Sequence, residues 1–289
     1  MRCTPDSLRI RYAGTTTLLF EDRQTHILVD GFFTRPPLWQ WLTGPFQPDL
    51  ERIRNALEAL QIQHLDTLAV FHSHFDHVMD SPSVALLTGA EILGSESTAM
   101  VARGGGLPEA RIQVASPGSR YLRGNFAITL APGEHMSLGP LAQWLGLDGD
   151  ILRPLVPPAH MLNYREGGTY SIFIEHPQGN SLLHGTRLTP AMAQWPGKWQ
   201  TLFVTTPGLH RLTLSEREAY VQGLIAGRGV QRVVAVHWDD FSRPLSEPLQ
   251  PFAPVLDPFL EDLAVLQQML APYPDISLEL WPAFYQHCL

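Results

Sequence analysis

One short stretch constrains this chain more than any other. The apolar run Leu68-Ala69-Val70-Phe71 reads as a buried strand. It leads directly into His72-Ser73-His74-Phe75-Asp76-His77. Imidazole and carboxylate are ligands that zinc and similar divalent metals prefer. Three histidines and an aspartate make a poor apolar surface at the end of a core strand, and a metal centre is the simplest reason to place them there. On an extended backbone His72 and His74 point the same way. Asp76 and His77 follow the expected end of the strand, where a turn can aim them at a second point. One segment can thus serve two adjacent metals, two ligands each. The plainer alternative is a histidine-rich loop on a solvated surface.

The run resembles the HxHxDH motif of the metallo-β-lactamase superfamily. Thr15-Thr16-Thr17-Leu18-Leu19-Phe20 and His26-Ile27-Leu28-Val29-Asp30-Gly31 resemble that family's opening hairpin. Phe126-Ala127-Ile128-Thr129-Leu130 leads to His135, and Val233-Val234-Ala235-Val236 to His237, which match the two downstream histidines. The resemblance covers nearly the whole chain and is strongest to the branch of the ascorbate-phosphate lactonase. It implies an α/β (α+β) architecture, a four-layer αββα sandwich of two mixed sheets with helices outside. It also implies His72, His74 and His135 around one metal, and Asp76, His77 and His237 around a second.

The family expects a bridging Asp after a strand in the second half. The matching stretch is Ser181-Leu182-Leu183-His184-Gly185-Thr186-Arg187, with Thr186 at the Asp position. A neutral hydroxyl cannot bridge two cations as a carboxylate does. Three arrangements are open: a single metal, His184 turned inward as a substitute, or help from Asp80, which otherwise caps a helix near Pro82. With one metal, Asp76 is free to act as a general base. Asp239 or Asp240 is expected to hold a metal-bound imidazole, the alternative being a plain turn.

The implied activity is a zinc-dependent hydrolase, with iron or manganese also compatible with the ligands. Bound zinc lowers the pKa of its water to about 7. An ester or lactone of a small molecule is the first expectation, followed by an amide or phosphodiester. Tyr164 is placed to donate to a developing oxyanion. Phe32, Phe33, Trp39, Trp41, Trp195, Trp199 and Trp238 are the aromatic candidates for a pocket, and His160 a polar one. An iron-dependent oxidative or sulfur-handling enzyme, or a non-catalytic sensor on a degenerate site, are the competing readings.

Composition sets outer bounds. The 289 residues, 44% hydrophobic, suit one domain over 1–289 with halves near 1–165 and 166–289. The net charge of −8 argues against nucleic acid as the main partner. No apolar stretch is long enough to span a membrane. Only Cys3 and Cys288 are present, no disulfide framework, and the expected compartment is the cytoplasm. Neither oligomeric state nor a substrate is readable.

Periodicity predicts strands at 8–13, 16–21 and 25–30 and a helix over 49–61 capped by Asp49, with Leu50, Ile53, Leu57 and Leu60 on one face. Next come a helix at 82–88 ended by Gly89, a strand at 91–94 and a helix from Ser95 or Ser97 to Gly104-Gly105-Gly106, which lacks the Lys-Ser/Thr of a phosphate loop. Strands follow at 170–175, 180–184 and 200–205, then a helix at 214–227 with a capping box of Ser215 and Glu218. A strand at 232–236, a Pro-rich loop at 244–258, a helix at 258–271 and a strand at 276–280 close the series.

Overall fold

The structure, a computed structural model, describes Thr4, residues 7–136 and residues 144–289. Among these, two seven-stranded sheets carry the architecture. The first contains β1 (Arg9–Tyr12), β2 (Leu18–Glu21), β3 (His26–Val29), β4 (Thr67–Ala69), β5 (Glu91–Gly94), β6 (Ile112–Val114) and β14 (Tyr285–Cys288). The second contains β7 (Arg120–Arg123), β8 (Phe126–Pro132), β9 (Tyr170–Glu175), β10 (Ser181–His184), β11 (Thr201–Thr205), β12 (Arg232–Val236) and β13 (Ser277–Leu280).

Both sheets are mixed. In the first, the order is β14-β1-β2-β3-β4-β5-β6; β14 through β3 pair antiparallel and β3 through β6 parallel. The second runs β13-β12-β11-β10-β9-β8-β7, with β10 through β13 parallel and β7 through β10 antiparallel. Parallel neighbours need long crossovers. Helices Leu50–Ala59, Ser81–Thr88 and Glu96–Gly104 provide them in the first sheet, Leu214–Leu224 and Phe259–Leu270 in the second.

Three buried clusters explain the layering. Leu18, Phe20, Ile27 and Val29 face Phe126, Ile128, Phe203 and Val234 between the sheets. The alternate residues Leu19, Leu28, Leu68 and Val70 pack outward on Ile53, Leu57, Val84 and Ala102. Leu182, Leu202, Val204 and Val233 pack outward on Tyr220, Leu224, Val265 and Leu266. Strands covered on both faces are predominantly apolar, which is why they read as near-continuous runs. Each such side chain contributes about 1.5–3 kcal/mol by burial. The sandwich of the sequence reading is therefore present. Sheet membership does not divide at residue 165, because β7 and β8 lie in the second sheet and β14 returns to the first.

Local expectations hold or shift for identifiable reasons. Asp49 caps its helix through the amides of Glu51 and Arg52. That helix buries Ile53, Ala56 and Leu57, while Leu50 at its first turn is exposed. Thr213 and Glu216, not Ser215 and Glu218, form the capping box, since the helix starts at Leu214 and ends at Leu224. Asp80 makes no side-chain cap. Its carboxylate accepts instead from the amides of Phe33 (2.7 Å) and Thr34 (2.6 Å) and from the Thr34 hydroxyl (2.6 Å), so it fastens the loop after the opening hairpin and is no metal ligand. Cys288 is disulfide-bonded, and Cys3 lies outside the described residues. Cysteine usage therefore does not carry the expectation of a reducing compartment. No helix among the described residues is long and apolar enough to cross a membrane.

The glycine triplet does more than stop a helix. A Cβ on Gly104 would lie 2.0 Å from the carbonyl oxygen of Leu155, so the backbone of the 155 segment rests directly on the helix. Gly104→Ala is expected to destabilise the fold by about 1–3 kcal/mol through overpacking, read as a lowered denaturation midpoint. An unchanged midpoint would contradict this close approach.

Candidate metal centre

Strand direction gathers the site. β3, β4, β8, β10, β11 and β12 all end at one edge of the sandwich, and the segments that follow them carry Asp30, His72–His77, His135, Thr186, His210 and His237. Ligand groups in open α/β sheets commonly collect outside the carboxyl ends of strands.

The six expected ligands fall into two groups. His72, His74 and His135 offer ligand atoms within 4.8 Å of one another, and so do Asp76, His77 and His237. His72 and His74 leave the extended segment after β4 as the spacing implied. Asp76 and His77 lie in a single helical turn, Phe75–Val78, rather than an irregular turn. In the second group His237 Nε2 lies 3.1 Å from Asp76 Oδ2 and 3.2 Å from His77 Nε2, and His77 Nε2 lies 3.4 Å from Asp76 Oδ2. Ligand atoms about 2.0–2.1 Å from a single tetrahedral ion stand ~3.3 Å apart, so this triangle has the size that one ion requires.

Hydrogen bonds to the outer ring nitrogens set which lone pairs face inward. His77 Nδ1–H donates to Asp30 Oδ2 at 2.8 Å, leaving Nε2 for the cluster. His135 Nδ1–H donates to the Met136 carbonyl at 2.6 Å. His74 Nε2–H donates to the Leu147 carbonyl at 3.3 Å, which leaves Nδ1, 2.9 Å from His72 Nε2. Two neutral imidazoles aimed at each other in a buried site suit a cation between them. Among the described residues, the buried Nδ1 atoms of His72 and His237 have no hydrogen-bond partner.

Electrostatics favour the ligating forms of His72, His74, His135 and Asp76, and the protonated form of His237 as long as the Asp76 carboxylate is its only counter-charge. Burial, then the neighbouring imidazoles led by His77, holds His72 well below the usual histidine range. Burial likewise brings His74 down to about 3 and lowers His135. Burial alone would raise Asp76, but His77 and His237 outweigh it and keep the carboxylate ionised. For His237 burial pulls downward and the Asp76 carboxylate wins, raising it. Neutral imidazole and ionised carboxylate are what a divalent metal binds.

The partner of His77, Asp30, is absent from the sequence-based candidates. Its Oδ1 accepts the Phe71 amide at 2.7 Å, and its Oδ2 also takes the Thr16 hydroxyl. Asp30 and His237 both hold φ near +60° without being glycine, a costly backbone state that clusters at functional sites. An Asp-Gly pair ending a buried strand was the available signal.

Asp239 and Asp240 take other roles than the expected support of an imidazole. Asp239 is fully buried and accepts from Arg35 Nη2 (2.6 Å), the Thr15 amide (2.7 Å) and the Tyr12 hydroxyl (3.2 Å). It acts on His237 through the backbone, because the Thr15 carbonyl accepts the His237 amide at 2.7 Å. Asp240 closes a turn on Ser242. His184 shares the outward face of β10 with Leu182, bonds Ser171 and packs on Tyr220. It cannot turn inward without breaking strand alternation. Thr186 donates its hydroxyl to the Pro207 carbonyl at 2.7 Å.

The two groups form the floor of a cavity of about 640 Å³. One wall is apolar, with Trp41, Phe75, Phe241 and Phe252; Trp41 stacks on Phe241 with centroids 5.2 Å apart. Tyr164 reaches this cavity, stacked on Phe46, and burial pushes its phenol above the usual range. Of the other expected aromatics, Phe32, Phe33, Trp199 and Trp238 are core residues, Trp195 packs against the outer core of the second sheet, and Trp39 is exposed. Phe241, Phe252 and His210 were missed, since no spacing after His237, in the Pro-rich loop or after β11 marks them. His160 is exposed and caps the short 3-10 turn Met161–Asn163.

No family model matches the chain. A UPF0173 metal-dependent hydrolase of Pyrobaculum islandicum is 29% identical over 105 residues, 36% of this chain and 40% of its own length. The chain thus spans less than half the length of that relative. The metallo-beta-lactamase fold protein YhfI of Bacillus subtilis superposes with a TM-score of 0.57 at 11% identity, covering 98% of this chain and 100% of its own. CmlA, a diiron beta-hydroxylase of Streptomyces venezuelae, gives 0.56 at 12% identity over 100% of this chain and 55% of its own. By its layers, by the convergence of its HxHxDH run with two downstream histidines and by these likenesses, the chain is a metallo-β-lactamase-fold protein.

Proposed function

We propose that this protein is a metal-dependent hydrolase of small organic molecules, with zinc as the metal and an ester or lactone as the bond cleaved ahead of an amide or phosphodiester. The observation that carries the proposal is the pair of ligand groups on the floor of a cavity with an apolar wall. A divalent ion bound there supplies a Lewis acid that polarises the substrate and brings a water to a pKa of about 7. The chain's own residues do the rest. Asp76 Oδ2 closes the second group and therefore acts as a ligand rather than as a free base. Trp41, Phe75, Phe241 and Phe252 hold the organic part and exclude water. Tyr164, kept protonated by burial, donates to the oxygen on which charge develops. The substrate is a small molecule, since a net charge of −8 disfavours a polyanion.

Both groups are complete in three side chains, so the protein is expected to carry two ions per chain despite Thr186. Metal analysis should show about two equivalents in the wild type and loss of one with His74→Ala, together with hydrolysis of an ester and lactone panel. A stable protein that takes up no metal from a zinc-supplemented, chelator-free preparation would overturn the proposal.

Asp30→Asn keeps the shape but replaces the carboxylate that His77 pairs with. Loss of such a partner typically costs 10–100-fold in metal affinity or activity. A chelator titration is expected to show that loss confined to one of the two ions, and equal retention of both would exclude Asp30 as the support of His77.

A further inference from the structure

A second imidazole-carboxylate pair lies on the cavity wall and is used by neither ligand group. His210 lines the cavity from the turn after β11, with its side chain 23% exposed. Its Nδ1 lies 2.8 Å from Asp262 Oδ1, and the same oxygen accepts the His210 amide at 2.6 Å. Asp262 Oδ2 takes the Gly208 amide at 3.3 Å. Asp262 comes from the first turn of helix Phe259–Leu270 and is fully buried. A buried carboxylate thus fixes both the ring and the backbone of a histidine whose other nitrogen is not committed to it.

The carrier segment is anchored from the site as well. Thr186, at the position where the resembled family has its bridging Asp, gives its hydroxyl to the Pro207 carbonyl. Thr186, Pro207, Gly208 and His210 all line the same cavity. The charged groups around His210 are Asp262, Asp257 on the cavity wall, the adjacent Arg211, and Arg217, whose Nη2 donates to the His210 carbonyl. The Nδ1–H···Asp262 bond leaves Nε2 as the ring nitrogen from which a proton can pass to a bound molecule.

We propose that His210 is the general acid for the leaving group, with Asp262 as its positioning residue. The proposal rests on the hydrolase reading above. In the step, hydroxide derived from water forms a bond to the acyl carbon, and the bond from that carbon to the leaving oxygen breaks. The electron pair departs on the leaving oxygen, which takes the proton from His210 Nε2. The proton released when water became hydroxide passes through solvent to restore the imidazolium.

A general acid matters in proportion to how poor the leaving group is. The test compares ethyl butyrate, whose alkoxide needs a proton, with p-nitrophenyl butyrate, whose phenolate does not. In metal-loaded protein, His210→Gln is expected to slow the ethyl ester about 10²–10⁴-fold and the nitrophenyl ester less than about 5-fold, with metal content unchanged. Nitrogen-15 NMR of the wild type, without substrate, is expected to show neutral His210 protonated on Nδ1, and Asp262→Asn to lose that preference. Equal slowing of both esters, unchanged ethyl ester hydrolysis, or a neutral His210 protonated on Nε2 would overturn the role while leaving the hydrolase reading intact. Failure of the metal-loaded wild type to hydrolyse either ester would sink the hydrolase reading and this role with it.

Discussion

The carboxylate of Asp30 is the contact on which the site depends. At the end of β3 it binds the Phe71 amide just before the histidine run, the Thr16 hydroxyl from the opening hairpin and the His77 ring. Two segments distant in sequence, the opening hairpin and the 71–77 run, are brought to one buried carboxylate. Its negative charge fixes the His77 tautomer and so decides which nitrogen faces the cluster. A charge-assisted hydrogen bond contributes about 1.5–3 kcal/mol, and breaking this one leaves several buried donors unsatisfied at once. The left-handed backbone of Asp30 is tolerated because the surrounding bonds over-determine it.

A second anchor ties the two sheets together at the same edge. Arg35 and Asp239 form a fully buried pair at 2.6 Å. Asp239 also holds the Thr15 amide, and the Thr15 carbonyl holds the His237 amide. His237 comes from the second sheet and Thr15 from the first. The Asp76, His77, His237 group therefore exists only when the sheets are packed, so core burial and site assembly are one event. Removing one partner of such a buried pair costs about 3–5 kcal/mol because the other charge is left uncompensated.

How much of this was legible follows from what each residue type is for. Strands buried on both faces and helices with caps announce themselves through continuous apolar runs and residues such as Asp49 and Ser95. The candidate ligands were readable because imidazoles after a core strand have few other reasons to be there. β6, β7 and β14 were not, since edge or near-edge strands keep polar, half-exposed side chains such as Arg120, Arg123 and His287. The supports of the ligands were misjudged for a different reason. Asp239 and Asp240 lie beside His237 in sequence, whereas the carboxylate that holds an imidazole is Asp30, 47 residues from His77. His210 is likewise made meaningful by Asp262, 52 residues away. Spacing shows what a segment offers, and only the fold shows what it meets.

The central claim is that two ions sit on the cavity floor in spite of Thr186. Anomalous diffraction at the absorption edge of the bound metal tests it most directly, on crystals of protein purified without chelator. The account predicts two peaks, one ringed by His72, His74 and His135 and the other by Asp76, His77 and His237. A single peak, or peaks away from these side chains, would contradict it.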